Sequence, residues 1–414
     1  MTTDTRVPMR TGMVVLMLSL LLGVQPIATD LYLPALPAMT LGFGASMHQA
    51  QLTLTGLLLT FGLSQLVWGP LSDRFGRRPI LLWGMTAFTL ASIGSVFAST
   101  MEQLLVWRCV QGGAMGAAVM CARAIVRDLY SPVEGARMMS KGLTGLGVLA
   151  CISAPLGGLL SDWLGWRAAL GALAVFGALA LTLVALRFEE TLARPNPQAL
   201  NPRDLIQTWA RILKHPTFWT FTLLAATSYG GLFTFLATSS FVFINALGLS
   251  KTQYGLLMFS MSLVYITGTI ICRRLIPLLG VRRTVAVAAA FTLTGGTLVG
   301  VMGWLGWQGV WTIMLPYYLF ILAHGVHQPC GQSGAVSAFP EAAGTASALS
   351  GFLMMVAAFG MGQWLGQTMP VGVDDATVRP LTNGLWFWAS LIAAVAWILV
   401  PRFGDIRPAP RRQP

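Results

Sequence analysis

The sequence predicts an all-α integral membrane protein with twelve transmembrane helices in two halves of six. Three observations predict it. Of 414 residues, 55% are hydrophobic and only 10% are charged, whereas a soluble domain carries about a quarter charged residues. A surface this poor in charge is solvated by lipid. The apolar residues fall into stretches of the ~20 residues that a helix needs to cross a bilayer. The basic residues collect in alternate connecting loops, as they do when successive loops lie on opposite sides of a membrane.

Taken in order, Arg6 and Arg10 precede the first apolar stretch, 13–36. That stretch is longer than a signal-peptide core and has no small-x-small cleavage site, so it reads as the first span. The next five fall at 50–70, 79–98, 103–125, 139–160 and 167–187. The second set falls at 216–244, 254–272, 284–304, 308–330, 344–368 and 382–400. Between the sets lies a polar, proline-rich stretch, 188–215, holding Glu189, Glu190 and Arg194. The chain therefore divides into an amino-terminal half (1–187), a central loop (188–215) and a carboxyl-terminal half (216–414). Residues 205–213 read as a short amphipathic helix along the membrane surface.

With the amino terminus in the cytoplasm, 22 of the 26 Lys and Arg residues fall on the cytoplasmic side. The other side keeps Arg167, Lys251 and Arg379, and Arg108 lies inside a span. Both termini are expected inside, and the net charge of +12 is explained by loops without nucleic acid. Cys109, Cys121, Cys151, Cys272 and Cys330 show neither paired spacing nor a histidine pattern for zinc. They read as packing residues, and no metal site is expected.

The halves resemble each other faintly. G-P-L-S-D-R-F-G-R-R-P at 69–79 follows the second span, and R-R-L-I-P-L-L-G-V-R-R at 273–283 follows the eighth. Each places a glycine just before paired arginines. A tandem repeat of six helices is common among secondary carriers, which bind substrate between the halves.

Of the fourteen acidic residues, Asp30 alone falls well inside a predicted span, ~9 Å below its end. Arg108 lies ~8 Å below the same face in the fourth span. Equal depth makes a pair possible. Desolvation and a nearby guanidinium act in opposite senses on a carboxyl, so small changes in distance or hydration load or release a proton. Asp30 is therefore the expected proton carrier and Arg108 its tuner. A static structural pair, a cation-binding role for Asp30 and a snorkelling Arg108 remain open. Tyr32, Gln111, Tyr229, Phe233, Phe235, Asn245, His324 and His327 are candidates to line a cavity for an apolar, partly aromatic substrate, packing being the alternative for each.

Residues 69–79 resemble the signature between spans two and three of the major facilitator superfamily. R-C-V-Q-G at 108–112 resembles the R-x-x-Q-G motif of that superfamily's fourth helix. A-C-I-S-A-P-L-G-G at 150–158 resembles the antiporter motif G-x-x-x-G-P-x-x-G-G, with Ala150 and Ala154 replacing glycines and Pro155, Gly157 and Gly158 matching. Together with T-D-L-Y-L-P-A-L-P at 29–37 and R-A-I-V-R-D-L-Y at 123–130, these look like the bicyclomycin- and chloramphenicol-resistance branch of drug:proton antiporters.

The resemblance implies that Gly69, Asp73, Arg74, Gly76, Arg77 and Arg78 form a cytoplasmic latch between the halves. Arg123, Arg127 and Asp128 suggest a charge cluster beside it, a solvated surface patch being the other reading. Several relatives carry a second acidic residue two turns before Asp30, where this chain has Leu22 and Gln25, which puts divalent cationic drugs in doubt. The expected function is proton-coupled efflux of a small molecule across a bacterial inner membrane by a monomer, with the proton gradient as energy source and no cofactor. A proton-linked uptake symporter is the alternative, since fold does not fix direction. An integral membrane enzyme or receptor is disfavoured, because no nucleophile–base constellation and no sizeable extramembrane domain appear.

Overall fold

The computed structural model describes residues 11–130, 132–307, 309–368 and 378–404. Arg6, Arg10, Arg407, Arg411 and Arg412, which entered the charge count, lie outside them. The described residues are helical almost throughout and contain no strand. This is the expected answer of a chain in lipid, where every backbone donor and acceptor must be satisfied within its own segment.

The amino-terminal half holds α1 (Thr11–Asp30), α2 (Leu36–Gly42), α3 (Met47–Phe75), α4 (Arg77–Val96), α5 (Met101–Leu129), α6 (Pro132–Trp163) and α7 (Trp166–Arg187). A surface helix, α8 (Pro202–Leu213), precedes the carboxyl-terminal half. That half holds α9 (Pro216–Ser240), α10 (Lys251–Trp304), α11 (Val310–Ser337), α12 (Ala343–Thr368), α13 (Arg379–Ala394) and α14 (Val400–Phe403). Eleven helical segments are long and apolar enough to cross a membrane. One of them, α10, has 54 residues, or ~81 Å of helix against a hydrocarbon core of ~30 Å. It crosses twice, folding back at Gly280 (φ 72°), so the expected twelve crossings are present.

Two boundaries differ from expectation. The first membrane segment runs from Thr11 to Gly42, six residues beyond the predicted end at 36, because the chain breaks after Asp30 and resumes as a short 3-10 turn and α2. The eighth and ninth spans are joined by continuous helix except at Gly280.

The repeat is clearer in the backbone than in the sequence. Both α3 and α10 open with a capping box, Ser46 with Gln49 and Ser250 with Gln253. The serine accepts the third-residue N–H while the glutamine returns to the serine N–H, satisfying donors that a helix start leaves open. Both second spans then end at a glycine with positive φ, Gly76 (100°) and Gly280 (72°). Such a backbone favours glycine because a Cβ would clash there.

Across the halves, α3 packs on α12 and α6 packs on α10. Within the amino-terminal half α5 is the most enclosed helix. A Cβ on Gly112 would overlap the Leu57 carbonyl, and one on Gly116 would overlap Ser64. The small-residue face of α5 thus admits the backbone of α3, as membrane helix contacts require.

Candidate functional site

Asp30 closes α1 near the middle of its membrane segment, twelve residues before Gly42. The other described acidic residues in such segments, Asp73, Glu102, Asp128, Asp162 and Glu341, lie at or near their ends. Asp30 is half-buried, and its carboxylate accepts a hydrogen bond from the neighbouring Thr29 Oγ1 at 2.8 Å. No ion pair joins it to Arg108 or to any other described residue.

Arg108 is fully buried, but it is directed elsewhere. Its Nη2 donates to the Ala28 carbonyl at 2.9 Å and its Nη1 to Gln111 Oε1 at 2.9 Å. The guanidinium lies 4.1 Å from the centroid of the Tyr32 ring. Gln111 in turn donates to Ser92 Oγ at 2.9 Å, and the Tyr32 hydroxyl bonds Thr53. This corrects the expected pairing. The two residues do share a depth, since Arg108 meets α1 at the level of residues 28–32. Asp30 is two residues from Ala28, about 200° around α1, and Tyr32 follows the end of the helix. Arg108 grips the inner face of α1, and Asp30 occupies the opposite one. Tyr32 and Gln111 hold the guanidinium inside the amino-terminal half.

The segment that follows Asp30 looks toward the other half. The 3-10 turn after it, Leu33–Ala35, touches α6, α9 and α10. The helix-five motif sits against the same place. A Cβ on Gly157 would strike the Leu31 carbonyl, and one on Gly158 would strike the Lys251 carbonyl of α10. Ala154 is buried against Gly255, whose Cβ position lies 2.7 Å from the Ala154 carbonyl. Pro155 lies within α6. Its missing N–H favours a bend. Asp162 then accepts from Thr252 N at 2.8 Å and Thr252 Oγ1 at 2.6 Å, while Lys251 Nζ donates to the Ser161 carbonyl at 3.0 Å. The small residues of this motif therefore allow α6 to seal against α10 beside Asp30.

At the basic end of the bundle, the residues predicted as a latch between the halves bond instead within the amino-terminal half and the loop that follows it, and they separate into two kinds. Arg77 is buried and pairs with Asp73 at 2.7 Å and Asp128 at 2.9 Å, and donates to Ser72 Oγ at 2.9 Å. Arg127 reaches Asp73 at 3.3 Å. Arg74 and Arg78 are exposed; Arg74 lies over the Phe75 ring, and Arg78 donates to the Ala185 carbonyl. Gly69 packs beside Met120 of α5. Arg123, expected in the same cluster, instead crosses to the other half, donating to Ser347 Oγ of α12 at 2.8 Å. Sequence reading missed Glu190. Its carboxylate accepts from the backbone N–H groups of Arg77 and Arg78 at 2.9 and 3.0 Å. The available signal was a helix start at 77 whose cap position, Gly76, has no side chain.

The carboxyl-terminal half uses uncharged partners. His324 Nδ1 bonds Ser228 Oγ at 2.8 Å, and His327 Nε2 bonds Thr292 Oγ1 at 3.1 Å. Gln328 donates to the Ala225 carbonyl at 3.0 Å. Phe233 is fully buried beside Gly362 and Thr55, and Phe235 stacks on Tyr317 with ring centroids 4.0 Å apart. Phe235 and His327 are thus interior packing, while Phe233 lies where α9 and α12 meet α3 of the other half. The buried Tyr229 and the half-buried Asn245 in the π-helical end of the seventh span (Phe241–Ala246) remain candidates for contact with a substrate, as does His324. Among the described residues no cluster of His, Cys, Asp and Glu could hold a metal ion.

The chain as a whole is similar to known proteins. The profile described as Major Facilitator Superfamily matches residues 18–362. The chain is 30% identical to the chloramphenicol resistance protein of Pseudomonas aeruginosa over 77% of this chain and 75% of that protein. It is 31% identical to multidrug resistance protein D of Escherichia coli K12 over 82% of this chain and 85% of that one. A solved D-xylose–proton symporter shares the fold at a TM-score of 0.72 and 15% identity, covering 95% of this chain and 99% of that chain.

Proposed function

The chain belongs to the major facilitator superfamily, in its bicyclomycin- and chloramphenicol-resistance branch, and from that premise we propose that it exports small-molecule drugs or metabolites in exchange for protons by alternating access. It is a transporter and not an enzyme. In this reading it works as a monomer in a bacterial inner membrane, with the basic end and both termini in the cytoplasm. The proton gradient drives it without a cofactor.

Asp30 carries the proton. What supports this is its position: a half-buried carboxyl in mid-span, at the turn that meets the opposite half, and without an ion pair among the described residues. Its protonation is then set by the hydration of the space between the halves, which alternating access changes in every cycle. Arg108 is a fixed structural charge that clamps α1 to α5. The contact of Arg123 with Ser347 at the basic end and the seal between α6 and α10 at the other are the two ends that must open in turn.

The test is transport by the purified full chain in proteoliposomes, with chloramphenicol as the first probe and an internal pH dye. Substrate entry should release protons from the vesicle interior, whereas a symporter would carry both inward. Asp30→Asn should abolish proton movement and uphill transport while retaining downhill exchange of substrate. Uphill transport by Asp30→Asn equal to the parent would exclude Asp30 as the carrier.

A further inference from the structure

A helix start leaves its first N–H groups without partners, and the position before α4 that normally supplies a capping side chain is Gly76. The missing cap comes from 113 residues away. Glu190 Oε1 accepts from Arg77 N at 2.9 Å and Oε2 from Arg78 N at 3.0 Å. The same Oε1 also accepts from Thr191 N and Leu192 N, each at 2.9 Å, which fixes the loop around its own carboxylate. A carboxylate is favoured at this end by the helix dipole as well as by the bonds. Gly76 is explained twice over: its φ of 100° favours glycine, and a Cβ there would overlap the Glu190 carboxylate.

The loop reaches further into the latch. Thr191 Oγ1 donates to Asp128 Oδ2 at 3.3 Å, and Asn196 N donates to the Asp73 carbonyl at 2.9 Å. Asp73 and Asp128 are the two acids that pair with the buried Arg77. Both residues that neutralise Arg77, and the helix that carries it, are therefore held by residues 190–196. Beyond them the chain enters α8, which packs against α12 of the other half. A shift of one half against the other pulls on this loop.

We propose that Glu190 is a positioning residue of the transport cycle: seated on the start of α4 it holds the basic end closed, and it leaves that seat when the halves move apart. The central loop is on this view a moving part of the latch. The inference rests on the transport reading.

The experiment uses the full chain in lipid nanodiscs and proteoliposomes. Hydrogen exchange is followed at the amides of Arg77 and Arg78, with turnover and substrate affinity measured alongside. In Glu190→Ala these amides should exchange at least about ten-fold faster, and turnover should fall several-fold with substrate affinity unchanged. Glu190→Gln keeps one acceptor oxygen and should lie between; it also reads the same amides if the alanine variant does not fold. In the parent chain, exchange there should quicken during coupled turnover, and in Asp30→Asn it should quicken only while substrate exchanges downhill. Exchange that is the same at rest and in turnover, or turnover untouched in both Glu190 variants, would overturn the proposal by reducing Glu190 to a static cap. Coupled transport by Asp30→Asn would instead remove the proton assignment, and the Glu190 exchange result would stand apart from it.

Discussion

The joint between the second and third spans of the amino-terminal half and its counterpart in the other half share a backbone and differ in charge. Each turns at a positive-φ glycine, Gly76 or Gly280, with paired arginines close behind. At the first joint Arg77 is buried against Asp73 and Asp128, and Glu190 caps the helix start. At the second, Arg282 and Arg283 are exposed, and residues 273–283 contain no acid. The same contrast holds in the interiors. The amino-terminal half encloses Asp30 and Arg108, while the other half bonds His324 and His327 to hydroxyls. Repetition supplied two equal scaffolds, and on the proposed reading electrostatics makes one of them the engine and leaves the other to shape the substrate space with neutral groups.

That contrast can be broken by experiment. The largest effect should come from Asp30→Asn, with proton-coupled export at background in proteoliposomes and normal expression. A histidine variant with the same loss would place the engine in the wrong half. Next, Arg77→Met should lower stability by about 3 kcal/mol, because it leaves two partly enclosed acids without a partner. Arg283→Ala, at the matching joint, should change stability by less than about 0.5 kcal/mol. Thermal unfolding in detergent measures both, and equal losses would erase the difference between the joints.

Arg108→Lys should cost about 2 kcal/mol, since an ammonium loses the stacked guanidinium over Tyr32 and the planar fork to Ala28 and Gln111. Its pH profile of transport should keep the parent midpoint, because Arg108 faces away from Asp30. A displaced midpoint would restore the tuning role. The smallest effects are expected from His324→Gln and His327→Gln, about 1 kcal/mol each for one hydrogen bond. Transport should keep the same pH dependence in both.

Much of the site could be read before any fold was known, although at different depths of detail. The buried importance of Arg77 was legible only as one arginine among three, because burial depends on Asp128 arriving from α5. The small residues at 154–158 announced a close helix contact; that the contact is the backbone of α10, next to Asp30, was not written in their spacing. Arg123 looked like a neighbour of Asp128 in sequence, yet five residues separate them, about 140° around the helix, and Arg123 turns toward Ser347 in the other half. Glu190 was hidden among other charges of a loop, since a cap supplied across 113 residues has no local signature.

By itself the sequence determined the lipid environment, the twelve crossings, the two-fold repeat and the depth of each buried charge. These follow from composition and from periodicities that consecutive residues carry. Only the tertiary structure decided which charge meets which, and it turned Asp30 away from Arg108. Depth along a helix is counted in residues, but the direction a side chain takes depends on how the helix is rotated against its neighbours. Packing of the small-residue faces sets that rotation.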